Sequence, residues 1–289
     1  MRTSLIKKAA AGVVLLTLSQ GCASAGTDGA GPSVLLAGSW AVQTLLDDLA
    51  PETPSATLVP PGVEPHDLEL TADDLARIEE ALAVVYVGGG FQPSLERTID
   101  AERDLDVLAF AQPLLREHDD AEAIDPHVWL DPGRWAQVAR GTGGDLVARG
   151  LTDTETVERA ARTLEALDAS FEAGLASCAR RTIFTEHDAF AYLADRYDLE
   201  QVALTGISPE AEATAPRFQA VADRARAEAA TTVFTERGGE GRLARTLAGE
   251  AGLEVAELDP LEFAFDPEET YAQRMRANLT ALRSALECA

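Results

Sequence analysis

Basic residues are scarce in this chain. Its 289 residues include 24 lysines and arginines against 49 aspartates and glutamates, which gives a formal net charge of −25. Proteins bind nucleic acids through basic surfaces, so this balance argues against a nucleic-acid partner. It also argues against a basic patch for attachment to a membrane surface. An acidic surface either keeps the protein soluble or concentrates divalent cations, and charge alone does not separate the two.

Long apolar runs are missing as well. The apolar stretch Ala9–Leu18 is too short to span a bilayer as a stable helix. It follows basic residues at the start of the chain, an order that is typical of a secretory signal. We therefore expect export from the cytoplasm and not a membrane-spanning anchor.

Cysteine is rare, and the first cysteine ends the predicted signal. The stretch closes with LSQGC (18–22), which resembles the cleavage site of bacterial lipoproteins, where the cysteine becomes the lipidated first residue. We therefore predict a signal peptide over 1–22 with lipidation at Cys22, and a flexible tether over 23–32. The alternative is that Cys22 is an ordinary residue of a plain secretory signal.

The other two cysteines are Cys178 and Cys288. An even pair in an exported protein favours a disulfide bond. The bond would staple the end of the chain to the last part of the fold. Two unpaired buried thiols are the alternative.

Short apolar runs alternate with helical stretches along the folded part, and this alternation predicts parallel sheets covered by helices. The expected strands are 33–37, 56–59, 84–87, 106–110, 182–185, 201–204, 232–235 and 253–258. Between the two sets of four, residues 152–177 have apolar residues at helical spacing. We expect an α/β fold with two lobes, each a four-stranded mainly parallel sheet, joined by one long rigid helix. The predicted domains are 33–150, the helix 151–178, and 179–289.

Histidine is also rare, and three of the four histidines follow predicted strands. His66, His127 and His187 each lie beyond a strand, and Asp259 follows a fourth strand. Ligands of parallel sheets bind at the carboxyl ends of the strands. Imidazole and carboxylate are ligands that suit zinc. The sequence therefore predicts one metal site between facing lobes, with His66, His127, His187 and Asp259 as its ligands. Water or a nearby carboxylate such as Glu236 is the alternative at the fourth position.

The segments around these residues carry a family resemblance. They are EPHDLE (64–69), DPHVWLDP (125–132), HDAFAYL (187–193) and LDPL (258–261). In this order they resemble the zinc and manganese substrate-binding lipoproteins of bacterial ABC importers, the zinc-uptake and TroA-like group known as cluster A-I. The resemblance implies a monomeric, lipid-anchored, extracytoplasmic binding protein with a rigid helix between its lobes. It also implies that the cargo passes to a membrane permease.

The third ligand bears on the choice of metal. In the resembled family this position is often histidine in zinc carriers and glutamate in manganese carriers, and here it is His187. A nitrogen-rich set suits zinc, whereas manganese prefers more oxygen. We expect Zn²⁺ as the cargo, with manganese as the alternative. Many zinc carriers of the family also have a long histidine-rich loop, here reduced to His118, Asp119 and Asp120. This remnant is either an accessory metal loop or a solvated acidic loop.

Two other classes of function remain open at this point. The first is a zinc hydrolase with three histidines, a bound water, and Glu186 or Glu236 as general base. The sequence contains neither HExxH nor a nucleophile elbow, which favours a carrier over an enzyme. The second is a surface adhesin in which the metal only stabilises the fold.

Overall fold

The computed structural model describes residues 34–111, 115–118, 121–207, 213–266 and 268–289. The predicted signal peptide, its Cys22 and the tether lie outside the described residues, as do Asp119 and Asp120. The described residues belong to one compact unit.

Two four-stranded parallel sheets form the framework, which confirms the predicted fold class. The first sheet has the spatial order β2-β1-β3-β4, with β1 Leu35–Ala37, β2 Ser55–Thr57, β3 Ala83–Tyr86 and β4 Leu105–Asp106. A short antiparallel pair follows, β5 Leu115–His118 with β6 Ala121–Ile124. The second sheet has the order β10-β9-β7-β8, with β7 Thr182–Thr185, β8 Glu200–Ala203, β9 Thr232–Glu236 and β10 Glu254–Leu258.

Helices connect the strands of each sheet. They are α1 Trp40–Leu49, α2 Ala72–Glu80, α3 Pro93–Glu96, α4 Pro132–Ala148, α5 Thr154–Leu175, α6 Ala191–Arg196, α7 Ala215–Ala227, α8 Arg242–Ala251 and α9 Tyr271–Ala285. Side chains satisfy the free N–H groups at several helix starts, for example through the capping boxes of α2 and α9. Within the described part of the chain, none of the helices is both long and apolar enough to cross a bilayer.

The long connecting helix is α5, and its burial follows the predicted pattern. Asp153 caps its start by accepting a hydrogen bond from the backbone N–H of Thr156 at 2.9 Å. Its apolar face is buried in a core that also includes α1, α4 and α9. One hydrophobic core thus runs from the first sheet to the second along this helix. A helix packed over its whole length is a stiff connection between the two sheets.

One local prediction was wrong. The expected strand over 106–110 pairs only through Leu105–Asp106 and then turns into a 3₁₀ helix, Val107–Phe110. The Asp106 carboxylate accepts hydrogen bonds from the backbone N–H groups of Gly88 and Leu108, both at 2.9 Å, which ends the ladder locally. The segment around His118, expected to be either an accessory metal loop or a solvated acidic loop, contains the β5–β6 pair, and His118 is the last residue of β5.

The predicted disulfide is present and joins Cys178 to Cys288. Cys178 lies just beyond the end of α5, and Cys288 lies just beyond the end of α9. Backbone hydrogen bonds run beside the bond, from the Arg180 N–H to the Leu286 carbonyl at 3.1 Å and from the Ala289 N–H to the Ser177 carbonyl at 3.0 Å. The chain end is therefore docked on the second half of the fold.

Candidate metal centre

The three predicted histidines come together between the two sheets. His66 lies in a 3₁₀ turn, Pro65–Asp67, beyond β2. His127 immediately precedes another 3₁₀ turn, Val128–Leu130, and His187 follows β7 by two residues. The ring centroid of His127 lies 5.7 Å from that of His66 and 5.4 Å from that of His187. His127 and His187 are fully buried, and the His66 side chain is 11% exposed.

The turn that carries His66 is held to the first sheet from inside. Gln92, which is fully buried, donates through its amide nitrogen to the carbonyl of Gly38 at 2.7 Å and to that of Pro65 at 3.3 Å. Gly38 directly follows β1. This bridge keeps the His66 turn at the carboxyl edge of the sheet, where the other histidines also lie.

A carboxylate that the sequence analysis did not predict completes the group. Glu262 is buried, and its Oε1 lies 3.0 Å from Nε2 of His127 and 3.8 Å from Nε2 of His66. Ligand atoms of His66, His127 and Glu262 all lie within 4.8 Å of one another, a spacing compatible with a shared metal ion. His187 adjoins this group through His127, the ring centroids lying 5.4 Å apart, and it is not among the three residues whose ligand atoms lie within 4.8 Å of one another.

Asp259 occupies a different place from the predicted one. Its carboxylate pairs with the guanidinium of Arg274 through two hydrogen bonds, of 2.6 and 2.5 Å. It also accepts the backbone N–H of Leu261 at 2.8 Å. Asp259 is therefore not brought into the histidine group, and Glu262, three residues later in the same loop, is. The sequence LDPLE (258–262) contains both carboxylates, Asp259 and Glu262, but the sequence alone does not say which of them faces the histidines.

Several polar atoms of this group have no hydrogen-bond partner among the described residues. They are Nε2 of His66, Nε2 of His187 and Oε2 of Glu262, all buried. Buried polar atoms are normally paired, so a cluster of unpaired ones requires an explanation. A metal ion bound by these atoms would supply the missing interaction. The donor set of three imidazoles and one carboxylate suits zinc.

Carboxylates behind the histidines orient two of the rings. Nδ1 of His127 lies 2.8 Å from Oδ1 of Asp125, which also accepts the His127 backbone N–H at 2.9 Å. Nδ1 of His187 contacts Oε1 of Glu236. A ring whose Nδ1–H donates to a carboxylate presents Nε2 as the ligand atom, and the carboxylate makes that nitrogen more basic.

The same charges shift the titration of the site. Burial lowers the pKa of His127, but hydrogen bonds and attraction from Asp125 and Glu262 outweigh it and raise that pKa to about 10. Burial also disfavours the charged form of His187, yet attraction to Glu236 raises its pKa. Burial raises the pKa of Glu262, whereas its hydrogen bond to His127 and its attraction to the neighbouring histidines hold that pKa well below the ordinary value. The buried carboxylates of this pocket therefore favour a positive charge beside them.

Aromatic side chains from the first half of the chain pack against His66 and His127. The Phe91 ring meets His66 edge-on with centroids 4.5 Å apart, and Trp129 lies 5.3 Å from His127. Tyr192 and Phe190 are fully buried, and the Tyr192 hydroxyl donates to the carbonyl of Asp125 at 2.9 Å. A dry wall of this kind strengthens interactions with a bound cation.

The two glutamates considered as general bases already have partners. Oε1 of Glu186 accepts the backbone N–H groups of Leu243 and Ala244 at 3.0 and 3.1 Å, and its Oε2 accepts the Thr235 hydroxyl at 3.0 Å. Glu236 contacts Nδ1 of His187. Both carboxylates thus hold other groups in place.

Comparison with known proteins gives a consistent result. The model of a family described as zinc-uptake complex component A, periplasmic (ZnuA), matches residues 44–285. The zinc-binding lipoprotein AdcA of Streptococcus pneumoniae serotype 4 is 32% identical over 254 residues, which cover 80% of this chain and 51% of AdcA. This chain spans about half the length of that relative. The high-affinity zinc uptake system protein ZnuA of Bacillus subtilis is 29% identical over 256 residues, 79% of each chain.

Solved structures show the same architecture. A zinc-bound deletion mutant of ZnuA superposes with a TM-score of 0.76 at 26% identity, over 88% of this chain and 98% of that one. The shared fold thus extends over most of this chain.

Proposed function

Because the chain belongs to the family of zinc-uptake complex component A, we propose that this protein captures a zinc ion outside the cytoplasm and delivers it to the permease of an ABC importer. The observation that carries the proposal is the cluster of unpaired buried ligand atoms between the two sheets. The names of the zinc-binding relatives AdcA and ZnuA support the same metal.

We propose His66, His127, His187 and Glu262 as the ligands. Glu262 replaces Asp259 of the sequence-based prediction, because the Asp259 carboxylate is held by Arg274. Two ligands precede α5 in the chain and two follow it. The zinc ion would therefore bridge the two halves of the protein.

Carriage fits this ligand set better than hydrolysis. Four protein ligands close a tetrahedral zinc site, whereas catalytic zinc sites keep one position for water or substrate. A hydrolase would also need a base beside that water, and both Glu186 and Glu236 are engaged elsewhere. An exchangeable water on the bound metal would favour the enzyme instead, and water-proton relaxation of the manganese- or cobalt-loaded protein would detect it.

A metal that only stabilises an adhesin is the third possibility, and the core argues against it. The main hydrophobic core runs through both halves along α5 and does not depend on the metal ligands. The metal-free protein should therefore stay folded, as a carrier that releases its cargo must. Circular dichroism and a thermal melt after chelation test this, and loss of the cooperative transition would favour the adhesin.

We also propose that the protein is held at the outer face of the membrane through lipid on Cys22 and acts there as a monomer. The signal-like start of the chain and the lipoprotein relative AdcA support the anchor. Replacing Cys22 with serine should release the protein from the membrane fraction. Mass spectrometry of the wild-type N-terminus should find the lipid.

Direct metal titration tests the main proposal. The purified protein, stripped of metal, should bind one zinc ion per chain and prefer zinc to manganese. Glu262→Gln and the combined alanine variant at His66, His127 and His187 should lose tight binding. His118→Ala is the matched control, since it removes the chain's fourth histidine, and it should bind like the wild type. Tight stoichiometric binding by the triple variant would show that the site is elsewhere.

A further inference from the structure

Glu262 is presented by a loop with an unfavourable backbone conformation. The loop follows β10, and its Leu261 has a φ of +62°, in the left-handed region that residues with a side chain rarely adopt. Leu261 is fully buried, so its side chain cannot move aside to relax the backbone. A conformation of this kind persists only where the surrounding contacts impose it.

Arg274 of α9 makes the contacts that hold both ends of this loop. On one side of Glu262 it pairs with the Asp259 carboxylate through two hydrogen bonds, and on the other it donates to the carbonyl of Phe263 at 2.7 Å. Asn278, one turn further along α9, accepts the Asp259 backbone N–H at 2.8 Å and donates to the Asp259 carbonyl at 2.7 Å. Arg274 and Asn278 are both only 2% exposed.

The first half of the protein completes this arrangement. The Arg274 guanidinium lies over the ring of Trp40 in α1, with 3.9 Å from Cζ to the ring centroid, a distance suited to a cation–π interaction. The indole N–H of Trp129 donates to the carbonyl of Pro260 at 2.8 Å. Trp129 is only two residues beyond His127, so the loop that carries Glu262 is tied directly to the segment that carries another proposed ligand.

We propose that Arg274 is a positioning residue for the metal site: by bridging Asp259 and the Phe263 carbonyl, it holds the loop so that Glu262 completes a tetrahedral ligand set. The proposal rests on the proposed function and assigns a cause to its metal selectivity. Zinc accepts four fixed ligands, whereas manganese favours more oxygen ligands and a larger coordination number. A loop that is free to move would weaken zinc binding more than manganese binding.

The sharpest variant is Arg274→Lys. Lysine keeps a positive charge beside Asp259, but its single ammonium cannot reproduce the planar fork that reaches both Asp259 oxygens and the Phe263 carbonyl. Arg237→Lys is the matched control. Arg237 lies close by and pairs with Glu269 at 2.9 and 3.0 Å, and it makes a single long hydrogen bond to Asp259, at 3.5 Å.

The measurements are zinc and manganese affinity and the visible spectrum of the cobalt-substituted protein, which reports coordination geometry. Arg274→Lys should lower zinc affinity about 10- to 100-fold, the usual effect of removing an interaction behind a metal ligand. It should also reduce the preference for zinc over manganese, and its cobalt spectrum should shift towards that of Glu262→Gln. Arg237→Lys should match the wild type in all three.

An unchanged zinc affinity and cobalt spectrum in Arg274→Lys would overturn the proposal. This holds even if the variant melts at a lower temperature, because Arg274 would then only stabilise the fold. If Arg274→Lys does not purify as a folded protein, Asp259→Asn decides by the same criteria. A wild-type protein that binds no zinc would instead refute the proposed function.

Discussion

Removal of the Cys178–Cys288 disulfide should strongly destabilise the protein and leave metal binding intact. The bond links residues that are 110 positions apart. In the chain-entropy model, a crosslink that closes a loop of this size stabilises the fold by about 4.7 kcal/mol at 25 °C, because it restricts the unfolded chain. Net stabilities are about 5–15 kcal/mol, so a double alanine variant should still fold but with a much smaller margin.

Metal binding should survive because the bond lies at the opposite edge of the second sheet. β7 begins at Thr182, shortly after Cys178, whereas His187 follows the carboxyl end of the same strand. The backbone hydrogen bonds beside the bond, and the ion pair of Arg180 with Glu287 at 2.7 Å, remain available to dock the chain end. The folded structure around the ligands is therefore expected to persist.

The assay is urea denaturation of wild type and the Cys178→Ala, Cys288→Ala double variant, with zinc stoichiometry measured on both. Wild-type protein treated with reductant is the control and should reproduce the loss of stability. Thiol titration of unfolded, unreduced wild type should find neither Cys178 nor Cys288 free. A loss below about 1 kcal/mol would refute the entropy argument. Loss of zinc binding by a variant that is still folded would show that the two edges of the sheet are coupled.

Three further outcomes are expected. In α4, Gly143→Ala would place a Cβ 2.5 Å from Val157 of α5, and in urea denaturation this variant should destabilise the protein by about 1–3 kcal/mol. The Cβ of Gly144→Ala would meet nothing within 4 Å, and this variant should stabilise the protein by about 0.5–1 kcal/mol. Equal effects of the two variants would contradict the tight packing of α4 against α5. Burial raises the pKa of Asp104, but hydrogen bonds, including one from the Val84 N–H, lower that pKa overall. The ionised Asp104 therefore stabilises the folded protein above about pH 4, and this contribution is lost as pH falls through the folded-state pKa. Asp104→Asn should therefore lower stability at neutral pH and flatten the acid limb of the stability profile, and an unaltered profile would refute this. Because α5 is packed against both halves, solution scattering should give the same overall dimensions with and without zinc, and a clear change would show that it is not a rigid spacer.

The position of the three histidines was predictable because it depends on local signals. The alternation of strands and helices identifies parallel sheets, and the carboxyl ends of parallel strands lie at one edge. His187 lies two residues beyond β7 and therefore at that edge. His66 lies nine residues beyond β2, in a 3₁₀ turn, and His127 follows the β5–β6 pair. The long helix and the disulfide pairing followed from equally simple features, a helical apolar repeat and an even number of cysteines.

Other features depend on competition between local and distant contacts. Residues 107–110 have the apolar composition of a strand, but the Asp106 carboxylate captures backbone N–H groups and bends the chain into a 3₁₀ turn. The β5–β6 pair forms within the acidic segment that the sequence analysis treated as a loop. In both places the sequence was compatible with more than one backbone path.

The sequence by itself determined the α/β architecture and pointed to the three histidines as proposed ligands at one edge of the sheets, because parallel strands place their carboxyl ends together. Only the tertiary structure decided which carboxylate faces them. Asp259 and Glu262 are chemically alike and three residues apart, so neither composition nor spacing distinguishes them. Arg274 and Asn278, which lie on α9 beyond the loop, bind Asp259 and leave Glu262 to meet His66 and His127.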